Sequence, residues 1–219
     1  MTAALDLPGV SLRVAELLAL DPLAPTLDEI PPARLLTVVD FRPSMLCGRT
    51  RAFRSVAAAE ATVMLCAQAC RAGSEVGLLT LGCGTAVTLT PRRRPMSEIV
   101  AGMVRAHDAA SAHALAGMLD DPPLGRALSG LDRLAAPGSA VIIVSGFETP
   151  GAGLGPCLQR LAQDHDLRLY LVTDGPGAQV AHSVVCGRAA RVLNASDPPE
   201  AMAARRAAPG PGGGGAAAG

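Results

Sequence analysis

An aspartate and a serine four residues apart, Asp40 and Ser44, end the run Leu35-Leu36-Thr37-Val38-Val39, with Arg42 midway between them. A carboxylate and a hydroxyl are hard oxygen donors of the kind that hold magnesium or manganese, usually with further hydroxyls and waters in an octahedral array. Arg42 is a permanent cation without an acceptor. Its planar fork suits a carboxylate bidentately, so the same three residues can form an ion pair in place of a metal site. The apolar run before them is too short for a typical helix and suits a strand buried on both faces. In open α/β sheets ligands sit in the crevice beyond the carboxyl ends of the strands, where this loop would fall.

The other reactive residues combine poorly. Ser44 with His107 or His113 and an aspartate would be a small hydrolase's triad, but no Gly-x-Ser-x-Gly elbow is present and both histidines fall mid-helix among alanines. His107 and His113, six apart, cannot share a helix face as ligands do, and His165 and His182 stand singly, as surface residues would. Gly82-Cys83-Gly84 and Gly151-Ala152-Gly153 lack the Lys-Ser/Thr of a phosphate loop and the dinucleotide spacing. Cys66 and Cys70 share a helix face with no partner pair to complete a zinc pattern. The six cysteines are expected to be buried, reduced thiols.

Several elements must position the Asp40 loop. Ser11 to Leu20 reads as a short helix with Ser11 as N-cap, followed by a proline-punctuated connector. Residues 51–72 form an alanine-rich amphipathic helix stopped by Gly73. Glu75–Leu81 is a second strand. After the Gly82–Gly84 turn, residues 85–90 alternate as an antiparallel edge strand. Helices are expected over 97–119, 124–135 and 154–164, and strands over 140–145, 167–173 and 191–194. A turn cluster follows at 174–177, and a last helix at 199–207. The expected architecture is α/β: a doubly wound, mostly parallel sheet with helices on both faces and one antiparallel edge strand. The organisation is an N-terminal helix and connector (1–33), one domain (34–207) and a flexible Pro/Gly/Ala tail (208–219).

Composition narrows the function. With 219 residues, 49% of them hydrophobic, the chain suits one domain with a real core. It has no Trp, one Tyr and three Phe, too few for aromatic platforms that stack nucleic-acid bases. Nineteen basic residues balance nineteen acidic ones, so net charge gives no case for nucleic acid or anionic membrane. The basic run Arg92-Arg93-Arg94 between prolines reads as a solvated loop. No secretory signal is visible and no apolar run approaches the ~20 residues of a membrane span, which makes a cytoplasmic location the expectation.

Five segments resemble a known family. They are V-V-D-F-R-P-S-M-L-C-G-R-T-R (38–51), S-V-A-A-A-E-A-T-V-M-L-C-A (55–67), A-G-S-E-V-G-L-L-T-L-G (72–82), P-G-S-A-V-I-I-V-S-G-F (137–147) and L-A-Q-D-H-D-L-R-L-Y-L-V (161–172). In this order they resemble von Willebrand factor A-like domains, in particular the bacterial domain-of-unknown-function family 58, over roughly residues 34 to 175. The resemblance implies a non-catalytic interaction module. Its partner would be a MoxR-type AAA+ ATPase, in a chaperone-like system that matures or remodels another complex, such as a metal-dependent dehydrogenase. Two departures stand out. The family's Gly/Arg/Asp-rich segment with Ile-Asp-Trp, ahead of the first strand, has no counterpart here, so the chain looks like a shortened relative.

The second departure is the metal-ion-dependent adhesion site. The family pattern places Asp, Ser and Ser in a first loop, Thr in a second and Asp in a third. Asp40 and Ser44 match the first and last positions, while Arg42 takes the middle one. The second loop reads Asp120-Asp121-Pro122-Pro123 without a threonine, and the third reads Ser145-Gly146 without its carboxylate. Three arrangements follow. Arg42 replaces the cation, pairing with Asp40 and Glu148, and no cofactor is bound. Alternatively, magnesium or manganese sits in a rebuilt set of Asp40, Ser44, Glu148 and Asp120 or Asp121, with Arg42 turned to solvent. In the plainest case Asp40 caps a turn and Ser44 the next helix. The interaction crevice would comprise Asp40, Arg42, Ser44, Pro123, Ser145 and Gly146.

Overall fold

The computed structural model describes residues 32–83, 86–175, 182–199 and 201–202. The expected helix at 11–20, most of that at 199–207 and the 208–219 tail lie outside them. Among the described residues are seven strands, β1 (Arg34–Asp40), β2 (Glu75–Leu81), β3 (Thr88–Arg92), β4 (Ala140–Ser145), β5 (Asp166–Thr173), β6 (His182–Val185) and β7 (Arg188–Asn194). The helices are α1 (Arg54–Arg71), α2 (Met96–Leu115), the single turn α3 (Leu124–Ala127) and α4 (Leu154–Asp164). The strands form one sheet in the order β3-β2-β1-β4-β5-β7-β6. β1, β2, β4, β5 and β7 run parallel, while β3 and β6 pair antiparallel at the two edges.

Side-chain alternation sorts the core into two layers. On β1, Leu35 and Val39 face α1 and α2, whereas Leu36 and Val38 face the layer of Leu124, Leu128, Leu154 and Leu158. On β4 the same division puts Ile142 and Val144 on one side and Val141 and Ile143 on the other. Both faces of these strands are covered, which is why their sequences read as unbroken apolar runs. The sheet is doubly wound: the chain leaves β1 for β2 on one side, then returns to β4 on the other. This reversal opens a crevice where β1 and β4 end, at Asp40 and Ser145.

Several boundaries move, each for a local reason. α2 stops at Leu115 because Gly117 adopts φ 81° and closes a Schellman motif, with Met118 N–H donating to His113 O (3.1 Å) and Gly117 N–H to Ala114 O (3.0 Å). Gly73, at φ 85°, ends α1 in the same way. The helix expected over 124–135 is interrupted: Gly130 at φ 92° separates α3 from a 3-10 turn at Leu131–Arg133. The strand expected at 85–90 runs instead over β3, and a second antiparallel edge strand, β6, joins β7 through Cys186 and Gly187, both with positive φ as a type I′ turn requires. Arg94 is not solvated: its buried side chain donates to the carbonyls of Val76 and Thr90. Cys66 and Cys157 are buried, but Cys47 and Cys186 are exposed; all six cysteines are free. His165 is half-buried, not a surface residue.

Gly77 has no room for a side chain, since a Cβ there would lie 2.6 Å from Leu89 O and 2.8 Å from Pro91 N across the irregular β2–β3 pairing. Gly155 in α4 faces open space. Gly77→Ala should therefore destabilise the fold by ~1–3 kcal/mol, whereas Gly155→Ala should stabilise it by ~0.5–1 kcal/mol; urea unfolding midpoints of the two variants check the contrast.

Candidate functional site

The crevice is built by three loops that leave the sheet's carboxyl end. The first follows β1 and carries Arg42 into a 3-10 turn at Pro43–Met45. The second joins α2 to α3 through Asp120 and Pro123. The third follows β4 and holds Phe147 and Thr149 at φ 56° and 46°, a strained conformation for non-glycine residues. Its backbone meets the second loop directly, Leu124 N–H donating to Thr149 O and Gly125 N–H to Pro150 O.

At the centre, Arg42 and Asp40 are both fully buried. The guanidinium grips the carboxylate with Nη2 2.8 Å from Oδ2 and Nε 3.0 Å from Oδ1. The Arg42 N–H also donates to Oδ1 (3.0 Å), and Ser145 Oγ donates to Oδ2 (2.6 Å) while accepting from Phe147 N–H. Two more guanidinium protons go to backbone: Nη1 donates to Pro122 O (2.8 Å) and Nη2 to Glu148 O (2.9 Å). One side chain therefore reaches all three loops. Burial works to lower the Arg42 pKa, but the hydrogen bond to Asp40 and the charges of Asp40, Asp121 and Glu148 together raise it.

A second shell closes around this pair. Asp121 Oδ1 accepts from Ser44 N–H (3.0 Å), and its Oδ2 lies 3.7 Å from Arg42 Nη1. Arg54, at the start of α1, pairs with the Glu148 carboxylate and donates to Ser44 O (2.7 Å). Gly146 permits that pair, for a Cβ there would fall against Glu148 Oε2 and within 2.9 Å of Arg54 Nη1. Its N–H points at Met45 Sδ (3.1 Å). Pro123 lies exposed at the rim.

The structure brings Asp40, Arg42, Ser44, Asp121, Ser145, Gly146 and Glu148 together, with three changes from the sequence expectations. Arg42 pairs with Asp40, as in the first of the three arrangements, and is not turned to solvent as the rebuilt metal set would have it. It meets Glu148 through the main-chain carbonyl, because Arg54 takes the carboxylate. Ser44 caps no helix: it lies inside the 3-10 turn, its Oγ without a hydrogen-bond partner among the described residues, and α1 begins after Phe53. Arg54 was not among the expected site residues, and its basic charge at a helix start gave no pattern by which to choose it.

These residues do not fit a divalent cation. Both Asp40 oxygens already accept two or more hydrogen bonds each, and the guanidinium fills the space before them. No group of three His, Cys, Asp or Glu residues among those described is arranged to hold a metal. Nor do His107 and the Ser44 hydroxyl form a triad, since Ser44 Oγ has no hydrogen-bond partner among the described residues. His107 is buried among α1 and α2, its Nδ1 3.3 Å from Ser55 Oγ and its ring edge-on to Phe41.

No family model matches the chain, and no curated protein matches it. Among solved structures it is similar to the crystal structure of the SpRpn10 VWA domain, with 13% sequence identity and a TM-score of 0.48, covering 78% of this chain and 92% of that one. The doubly wound class stands on the strand order itself. No helix among the described residues is long and apolar enough to cross a membrane.

Removing one partner of the central pair leaves a buried, uncompensated charge. Asp40→Ala should cost ~3–5 kcal/mol of stability, and the joint replacement Asp40→Asn with Arg42→Met should cost clearly less than Asp40→Ala alone, as read from urea unfolding. His107 gives a pH test. Burial holds its imidazole below the ordinary 6.5, with Asp108 pulling weakly the other way. The unfolded chain then binds the extra proton, so this contribution is present above about 6.5 and is lost as pH falls towards the folded value. His107→Leu should flatten stability against pH below 6.5 by up to ~1.4 kcal/mol per pH unit; an unchanged slope would mean that the imidazole is charged in the fold.

Proposed function

We propose that this domain is a non-catalytic protein-interaction module that docks a partner over the crevice at the carboxyl end of its sheet, without a divalent metal. The observation that carries this reading is the buried Arg42–Asp40 fork. A metal-dependent adhesion site works by leaving one coordination position open for a partner's carboxylate. Here a guanidinium with every proton-bearing nitrogen engaged stands before Asp40, so no such position exists. What the crevice offers instead is a fixed outer surface, made of three loops that one side chain holds in register.

The five-segment resemblance to domain-of-unknown-function family 58 supports a MoxR-type AAA+ ATPase as the partner, with maturation or remodelling of a further complex as the task. Metal-dependent dehydrogenase assembly is one such task. A non-catalytic role agrees with the separation of the polar groups. Ser44 has no base beside it, and His107 is committed to Ser55 on the α1–α2 side.

Two measurements test this reading. The melting temperature of the purified protein should not move when millimolar magnesium or manganese replaces EDTA, because nothing that binds the folded state has been added. Affinity capture from the host, with a slowly hydrolysed ATP analogue, should retain an AAA+ ATPase on the wild-type domain. A metal-induced rise in melting temperature that Asp40→Ala abolishes would overturn the metal-independent mechanism. Absence of any AAA+ ATPase would remove that partner.

A further inference from the structure

The partner's chemistry can be read from the rim of the crevice, an inference that rests on the proposal that this face is the docking surface. Five large hydrophobic side chains are exposed among the described residues: Phe53, Leu115, Met118, Leu119 and Val184. Four of them belong to one end of the molecule. Leu115 is the last residue of α2, at 79% exposure, and Leu119, at 65%, comes just before Asp120 and Asp121 of the second crevice loop. Phe53 begins α1 and lies against His107, with ring centroids 6.4 Å apart, two turns back along α2 from Leu115. Below Phe53, α1 and α2 leave a groove lined by Val56, Ala59, Val63, Val100 and Val104, with Ser55 Oγ and His107 Nδ1 paired at 3.3 Å and His107 Nε2 buried without a partner among the described residues. Scattered exposed leucines are ordinary in folded proteins, but a cluster beside a cleft marks a contact surface.

The charge beside this apolar patch has a definite sign. Around the crevice three carboxylates, Asp40, Asp121 and Glu148, face two guanidiniums, Arg42 and Arg54. That leaves one negative charge in excess, and exposed Asp120 makes it two. Asp121 Oδ2 and Glu148 Oε2 are buried, so Asp120 is the carboxylate of the second loop that stands exposed, next to Leu119. The carbonyl end of α2, whose dipole is negative, also terminates at Leu115.

We propose that this face binds a protein segment that sets a lysine or arginine against exposed Asp120 and lays apolar side chains on Leu115, Met118, Leu119 and Phe53. The preference is the reverse of that of a metal-bearing crevice, which takes a carboxylate. Basic charge in the segment would speed encounter and fix its register, and the apolar contacts would supply most of the affinity.

A phage-displayed library of random linear peptides, selected on the whole chain, tests this. Selected peptides should carry Lys or Arg within a few residues of Leu, Ile or Phe. A synthetic peptide from the selection should bind at least ~10-fold more weakly to Leu115→Ser/Leu119→Ser, a pair of exposed sites whose exchange leaves the core intact. Its binding should fall about 5-fold on Asp120→Lys and weaken with added salt. Acidic peptides that lose binding on Leu115→Ser/Leu119→Ser would overturn the basic preference and leave the docking face standing. Peptides indifferent to both variants, or no enrichment at all, would overturn the inference and count against the docking face. A dimer in analytical ultracentrifugation that Leu115→Ser/Leu119→Ser dissolves would also overturn it, by showing that a second copy covers the patch.

Discussion

The Arg42–Asp40 pair is the constraint on which the rest of the crevice depends. Neither side chain reaches solvent. Two charges taken out of water lose several kcal/mol of hydration each, and their mutual attraction offsets that only when the remaining protons and lone pairs are also satisfied. Here they are. The fork occupies both carboxylate oxygens, Ser145 supplies another donor, and the carbonyls of Pro122 and Glu148 take two more protons. The two carbonyl acceptors belong to different loops, so satisfying one guanidinium fixes the relative placement of all three. The strained backbone at Phe147 and Thr149 fits this picture, because the third loop must turn its Glu148 carbonyl towards Arg42 while its side chain turns to Arg54.

The same geometry decides between metal and guanidinium on chemical grounds. A magnesium ion demands near-ideal octahedral oxygen geometry and usually keeps several of its waters. The space in front of Asp40 is instead filled by a planar group whose donors are directional and whose charge is permanent. A metal site can be emptied by chelation and responds to metal supply. A guanidinium tethered two residues along the same strand end cannot leave. The fork thereby holds the three crevice loops in one permanent arrangement.

Much of the fold was legible in the chain, and the reasons are visible residue by residue. Glu75–Leu81, Ala140–Ser145 and Leu154–Asp164 have the bounds expected of them, because each is a strongly patterned run with turn residues at both ends. β6 was missed. It has four residues, and its turn, Cys186-Gly187, lacks the Asn-Gly or Asp-Gly signature of a two-residue hairpin. The overlong helix at 97–119 shows a different limit, for Gly117 could be tolerated inside a helix and only the backbone reveals that it closes one. At the site, the pairing of Arg42 with Asp40 follows from residue type and spacing. Its partners at Pro122 and Glu148 are main-chain carbonyls, which no side-chain pattern encodes. The exchange of Glu148 from Arg42 to Arg54 needed the third dimension for the same reason, since 94 residues separate that pair.

Gly146 shows how the loops and the charge balance were settled together. In the resembled family this position carries a metal-binding aspartate. A side chain at Gly146 would meet the ends of the Glu148 and Arg54 side chains, so one there would displace that pair from its present position. At the centre Arg42 faces Asp40 and Asp121 and Arg54 faces Glu148, while Asp120 stands exposed at the rim. Interior charge must be compensated because burial makes any excess costly, but rim charge is solvated and free to serve recognition. Asp120, exposed next to Leu119, is therefore the charge of the crevice that folding leaves least constrained.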